Sequence, residues 1–377
     1  MNTSILKARC AQAGLEAIFE KVMAKERISF DDGVQLYRTQ DLHAVGALAN
    51  HVRERLHGDD TYFNVNQHIN YTNVCNKLCR FCSFQRLPKQ AGAYVMRPEQ
   101  VAEKIREQLD EPVTEVHVVG GVYPRLPYSY YIEILEAIKK ERPGIHIKGF
   151  TMVELIQIAH LAKKPLAEVL PELQAAGLDS CPGGGAEVFA KRVHDEGYHV
   201  KNTGEEWIDA ARAVHEAGMK SNCTMLHGHI ETSEERVDHL NRLRLLQDET
   251  GGFQAYIPLS FHPYGNEWSH LPGPSAMDEL REIAVGRLVL DNIPHIKAYW
   301  IMLGIPIAQT ALSFGANDVD GTVVEEKIYH DAGAVTPQAV KRDELICWIR
   351  DAGRAPVERD TVYNVLWNGA ETKIAGV

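Results

Sequence analysis

The sequence predicts an α/β protein, a (β/α)8 barrel of the TIM type with a helical extension before it and a cap after it. Two observations predict this. From about Tyr62 onward, short β-branched or apolar runs alternate with amphipathic helical stretches, the rhythm of repeated βα units. Eight such runs occur, the number that closes a parallel barrel, and 377 residues at 45% hydrophobic content can bury its core.

Taken in order, residues 1–55 read as helices packed against the barrel, because 15–26 and 42–56 each carry an apolar stripe. The barrel occupies 56–333. Its strand runs are 62–73, 115–121, 145–152, 177–184, 220–228, 253–261, 295–303 and a weaker last one at 318–325. Helical periodicity covers 98–110, 128–141, 204–218 and 233–249 between them. The tail, 334–377, holds one more helix at 340–353 and a capping segment. In such a barrel the loops at the C-terminal strand ends are available for chemistry.

Composition narrows the function. A formal charge of −11, with no basic block to track a phosphate backbone, argues against nucleic-acid binding. No segment approaches the roughly 20 apolar residues of a membrane span, and the N-terminus lacks the pattern of a secretory leader, so a cytoplasmic protein is expected. Seven cysteines, three of them within eight residues, point to a metal site in a reducing compartment and not to a disulfide framework.

Those three are Cys75, Cys79 and Cys82, in NYTNVCNKLCRFCSFQR directly after the first strand run. Three thiolates on one short loop can wrap a cubane iron–sulfur cluster, whose four irons ordinarily take four Cys ligands, and one iron would stay open. A closed Cys3His zinc site with His68 as the fourth ligand is the competing metal reading. A non-catalytic iron–sulfur or zinc redox sensor is the competing function.

CxxxCxxC after the first strand of a βα barrel resembles the radical S-adenosylmethionine superfamily. The resemblance implies a [4Fe–4S] cluster on the three cysteines, with S-adenosylmethionine chelating the open iron and cleaved to a 5′-deoxyadenosyl radical. It puts Phe81 at an adenine-contacting position and Gly120–Gly121 where backbone meets the methionine amino group. An ordinary strand-to-loop turn is the plain reading of that glycine pair. Over nearly the whole chain, stretches such as YFNVNQHINYTNVC, DSCPGGGAEVF and DNIPHIKAYWIMLG look most like the aminofutalosine synthase family of the futalosine route to menaquinone. The dehypoxanthine futalosine cyclase and deazaflavin (F0) synthase families share parts of them. The implied reaction adds the radical to the vinyl carbon of 3-[(1-carboxyvinyl)oxy]benzoate. Aryl migration and loss of a carboxylate then give 6-amino-6-deoxyfutalosine and methionine. Small-molecule substrate and a reducing electron donor, such as flavodoxin or ferredoxin, are the partners this implies.

Polar residues on predicted strands supply the remaining candidates. Two substrate carboxylates buried in a cavity need compensation. Alternation puts Asn66, His68 and Asn70 on one face of the first strand, Gln254, Tyr256, Ser260 and His262 on one face of the sixth, and His295, Lys297 and Tyr299 on one face of the seventh. Fully buried parallel strands are ordinarily continuous apolar runs, so these rows are unusual for a passive core, although outward-facing hydrogen-bonding roles are the alternative. A cation about 4 Å from a carboxylate is worth about 4 kcal/mol at an effective dielectric near 20, which ranks Lys297, Arg287 and His262 first for the carboxylates. Gly184, within the run Gly183–Gly185, could bring backbone N–H groups to an anion. Glu154, His229, Asn317 and Asp318 complete the cofactor-binding candidates, with turn or capping roles equally open for the last two.

Overall fold

The computed structural model describes residues 3–369. β1 (Asp60–Asn64) and β2 (Asn66–Asn70) form one extended run interrupted at Val65. β2 begins a seven-stranded parallel sheet that continues in chain order through β3 (Glu115–Val119), β4 (His146–Gly149), β5 (Ser180–Cys181), β6 (Lys220–His227), β7 (Phe253–Ser260) and β8 (His295–Ile296). β9 (Asp318–Gly321) spans the remaining gap. On one side Ala298 donates its N–H to the Asp318 carbonyl (2.8 Å). On the other, Thr322 donates to Asn64 (3.2 Å) and His68 to Val324 (3.1 Å). The sheet thus curls into a barrel, and each of the eight expected strand runs contains a strand. One run behaves differently along its length: HIKAYWIML leaves the sheet after Ala298 and is helical from Trp300 to Leu303. A continuous apolar run carries no periodicity that would separate the two.

Helices on the outside bury the strands' outer faces, and their starts are written locally. Thr151 with Glu154, Thr203 with Glu206, Thr232 with Glu235 and Ser275 with Asp278 form reciprocal capping boxes, each satisfying two otherwise unpaired backbone donors. The N-terminal helices Phe30–Arg38 and Leu42–His57 pack on the barrel helices Ser233–Thr250 and Ala276–Val289. Gly46 permits the approach to Phe314, since a Cβ there would sit 2.3 Å from the ring. Among the described residues no helix is long and apolar enough to cross a membrane.

The tail does more than add the helix Arg342–Asp351. β10 (Ala355–Arg359) pairs in parallel with β1, and β11 (Val365–Asn368) pairs antiparallel with β10, building a four-stranded sheet at the N-terminal end of the barrel. From it Arg359 reaches the Asp318 carboxylate (2.8 Å), which also accepts from Tyr363 (2.8 Å). Further up the barrel lie Lys148–Glu115 (2.7 Å) and Lys297–Asp320 (3.5 Å), all buried. The barrel interior is therefore filled by matched charges. Each pair offsets its own desolvation, and removing one partner would leave a buried charge unpaired.

Candidate active site

The cysteine loop leaves β2 at the C-terminal rim and is tied down by its own backbone. Cys75 N–H donates to Arg86 O (3.0 Å), Arg86 N–H to Asn73 O (2.8 Å), Asn76 N–H to Val122 O (3.0 Å) and Arg80 N–H to Gly197 O (2.9 Å). Cys75, Cys79 and Cys82 are all free thiols and all line one cavity of about 290 Å³. Among the described residues no three His, Cys, Asp or Glu side chains already stand in a metal cage, so the loop presents the thiols to a shared space without a preformed cage. The donor set fits a cluster. Burial and the neighbouring Cys75 push the Cys82 thiol up to about 11, and the backbone N–H groups of Gln85 and Phe84 offset only part of this. Positive charge stands close by: burial opposes the charge on Lys201, but Glu187 and Cys79 outweigh it and hold its amine above the ordinary value.

Facing the loop is the end of β3. Gly121 donates to Thr72 O (2.7 Å), and a Cβ on it would lie 2.4 Å from Val74 O, so only glycine fits against the cysteine loop. Gly120 donates to the Glu154 carboxylate (3.0 Å), which also accepts from Tyr71 (2.7 Å) and from the N–H and hydroxyl of Thr151 (2.8 and 2.7 Å). Burial raises the Glu154 pKa, and these donors pull against it. A third wall comes from the loop after β5. Gly183 has φ +76° and a Cβ there would be 1.8 Å from Asn222 O, while Gly184 accepts from the Trp207 indole (3.1 Å). This loop delivers Glu187 to its ion pair with Lys201. The Lys201 ammonium lies 5.9 Å above the Phe81 ring, which is flanked by Tyr198 and Trp268.

The floor is set by the parallel register, in which His68 pairs with His117 and His117 with Lys148. Both imidazoles line the cavity, 4.4 Å apart. Burial pushes His68 below the ordinary imidazole range, against the pull of Asp320 and Glu326; burial and His68 do the same to His117.

Of the sequence candidates, the cavity gathers the three cysteines, Phe81, Gly120, Gly121, Gly184, His68, His262 and Tyr299. Others stand elsewhere. Glu154 lies behind Gly120 and is occupied by its four donors, so it positions backbone instead of meeting a ligand directly. His229 hydrogen-bonds Leu226 O (3.0 Å) and pairs with Glu231 (2.9 Å), shaping the loop after β6. Asn70 secures the stretch after β9, accepting from Lys327 N–H (3.0 Å). Lys297 is held by Asp320 inside the barrel. Asn317, Asp318, Arg287 and Gln254 belong to the opposite end: Arg287 donates to Gly315 O, Pro294 O and Asn317 (2.9, 3.0 and 2.6 Å), Asp318 is taken by Arg359, and Gln254 donates to Thr361 O (3.2 Å). Tyr256 corrects the alternation argument itself. Its hydroxyl donates to Glu282 on an outer helix (3.0 Å), while Ile257 and Leu259 face the cavity. An irregularity in the β6–β7 register places Phe253 opposite Ser221 but Tyr256 opposite Cys223. One extra residue in β7 turns the side chains after it over as far as the strand runs, and His262, past the strand end at Ser260, still reaches the cavity.

Among the cavity groups outside those candidates are His117, Glu187, Lys201 and Tyr329. His117 is on the same ring level as His68, and alternation applied to EVHVV would have found it. Glu187 and Lys201 meet through irregular loops that leave no periodic signal. Tyr329 lies on a short turn of helix, Ile328–Asp331, beyond the last strand run.

Comparison with known proteins shows what the chain is similar to. The model of the radical SAM superfamily matches residues 69–243, and that of the CofH/MqnC C-terminal region matches 250–371. The chain is 46% identical to an aminodeoxyfutalosine synthase of Thermus thermophilus, covering 94% of this chain and 97% of that one, and 44% identical to one of Streptomyces coelicolor over 94% and 95%. A cyclic dehypoxanthine futalosine synthase of Halalkalibacterium halodurans is 36% identical over 93% and 95%. Among solved structures, methylornithine synthase superposes with a TM-score of 0.73 at 17% identity, covering 89% of this chain and 96% of that one, which is a likeness of fold. The chain belongs to the radical SAM superfamily and, within it, to the enzyme family of the aminodeoxyfutalosine synthases.

Proposed function

We propose that this chain joins the 5′-deoxyadenosyl group of S-adenosylmethionine to 3-[(1-carboxyvinyl)oxy]benzoate, giving 6-amino-6-deoxyfutalosine, methionine and the lost carboxylate as bicarbonate or CO2. The observation that carries the reading is the shared cavity: three free thiols on one loop, with the Gly120–Gly121 edge and Phe81 beside them. Cys75, Cys79 and Cys82 are the residues to hold a [4Fe–4S] cluster, which supplies the electron that cleaves the carbon–sulfur bond of S-adenosylmethionine. Gly120, fixed by Glu154, offers backbone to the methionine end, and Phe81 offers a ring to adenine. Lys201, paired with Glu187, stands over the Phe81 ring and orients it beside the thiols. Val119, Val122, Leu226, Ile257 and Leu259 wall the space with apolar surface, which keeps water from a reactive radical. The reducing partner is a small electron carrier, flavodoxin or ferredoxin in kind.

Anaerobic reconstitution followed by dithionite, S-adenosylmethionine and the enolpyruvyl benzoate tests this by mass detection. The expected product carries the adenosyl group. Release of free 5′-deoxyadenosine without adenosylated product would instead place the chain with the cyclase or deazaflavin-forming enzymes, and no cleavage at all would favour a sensor. Cys79→Ala is expected to lose the broad cluster absorbance and all activity, whereas Cys10→Ala and Cys347→Ala keep both.

A further inference from the structure

One wall of the cavity is a ladder of five ring side chains. His262 and Tyr329 have centroids 5.6 Å apart, Tyr329 and Tyr299 6.0 Å, Tyr299 and His68 6.5 Å at an interplanar angle of 15°, and His68 and His117 4.4 Å. The ladder runs from the rim, where Tyr329 is within electrostatic range of Cys82, down to the floor between β2 and β3. All five line the same space.

Ordinary aromatic packing would commit the polar tips, and here several are uncommitted. His68 is 4% exposed, and its Nε2 has no hydrogen-bond partner among the described residues. His117 and the hydroxyls of Tyr299 and Tyr329 likewise make no hydrogen bond to described residues. The nearby acids already have partners of their own: Asp320 has Lys297, Glu187 has Lys201, and Glu326 has the N–H groups of Ile328 and Tyr329 (2.8 and 2.9 Å). For His68 Nε2, a buried group without a partner is retained at a cost, while the other three polar tips stay open to the cavity. A ligand that also matches the ring faces is flat and aromatic and carries acceptor oxygens.

Resting on the function proposed above, we infer that this ladder is the subsite for the aryl carboxylate of the substrate. The benzoate ring packs on Tyr299 and Tyr329, its carboxylate accepts from His68 and His117 at the floor, and the enol ether is left toward the thiols. The ladder thereby sets which end of the substrate meets the radical.

Two substrates separate the contributions: 3-[(1-carboxyvinyl)oxy]benzoate and 2-phenoxyacrylate, which is the same enol ether without the ring carboxylate. With the cluster-loaded enzyme, the benzoate is expected to be favoured in kcat/KM by on the order of 100-fold, the scale of hydrogen bonds to a charged group. In His68→Leu that preference is expected to fall below about tenfold, through a raised KM for the benzoate with the analogue little changed. His117→Leu and Tyr299→Phe are expected to lower it in the same sense, and they decide the matter if His68→Leu does not retain cluster absorbance. A wild-type preference near one, or an undiminished preference in the folded variants, overturns the subsite. Failure of the wild type to make any adenosylated product overturns the function instead.

Discussion

Gly183 and Glu154 show how single positions hold the site open. At Gly183 a left-handed backbone and a neighbouring carbonyl both exclude a side chain, so Gly183→Ala is expected to cost more than about 2 kcal/mol, read as a lower denaturation midpoint. Glu154 accepts from four donors, and a glutamine would turn an NH2 toward one or two of them. Glu154→Gln is expected to cost about 1–3 kcal/mol and to raise the KM for S-adenosylmethionine more than that for the second substrate, because it loosens Gly120. Equal effects on both constants would argue against a positioning role. At this scale the cysteines were legible because the loop that uses them is short. Glu187 and Lys201 were not, since their contact depends on two irregular loops whose path no periodicity encodes.

At the scale of elements, the turn of helix Ile328–Asp331 carries a proton-dependent anchor. The Glu326 carboxylate holds His330 up to about 9, and the imidazole reaches the carbonyls of Glu326 and Thr336 (2.6 and 2.9 Å). A raised pKa in the folded state contributes stability that is fully present below the ordinary value near 6.5 and is lost as pH rises through about 9. The melting temperature of the native protein should therefore exceed that of His330→Gln at pH 6, and the gap should close above pH 9. A gap independent of pH would assign the difference to packing. Strand positions were readable at this scale, because alternating βα rhythm survives tertiary context. Strand faces were readable only up to the first irregularity: the bulge in β7 sent Tyr256 outward, and nothing in FQAYIPLSF announces it. Of the candidates named from the sequence, Asn317, Asp318, Arg287 and Gln254 serve the far end of the barrel. Sequence alternation gives the face of a strand and says little about depth along the barrel.

For the molecule as a whole, buried imidazoles set the acid limit. Burial lowers His215 to about 4, with Lys220 adding to the effect, and lowers His57 to about 4 and His239 to about 3. The His239 ring uses both nitrogens, with Phe189 N–H (3.3 Å) and Thr224 O (2.9 Å), which suits a neutral tautomer. The unfolded chain binds protons at these positions from pH 6.5 downward while the fold does not, so stability falls between pH 6.5 and about 4. Urea midpoints at pH 7 and pH 5 check this, and His215→Gln should flatten part of the slope. Barrel class and rim chemistry were both legible across the whole chain. The charge-filled interior was not, because partners such as Arg359 and Asp318 lie far apart in sequence.

The closing of the ring by β9 has a consequence in time. The run from Asp60 to Asn70 is the first barrel strand to be synthesised, yet Asn66 finds its partner Thr322 only 256 residues later. Until then the nascent sheet carries two open edges, and β1 also waits for β10. Contacts of such separation are slow to form and leave strand edges free to pair wrongly. The step that completes the catalytic cavity should therefore also be the slow, aggregation-exposed step of its birth.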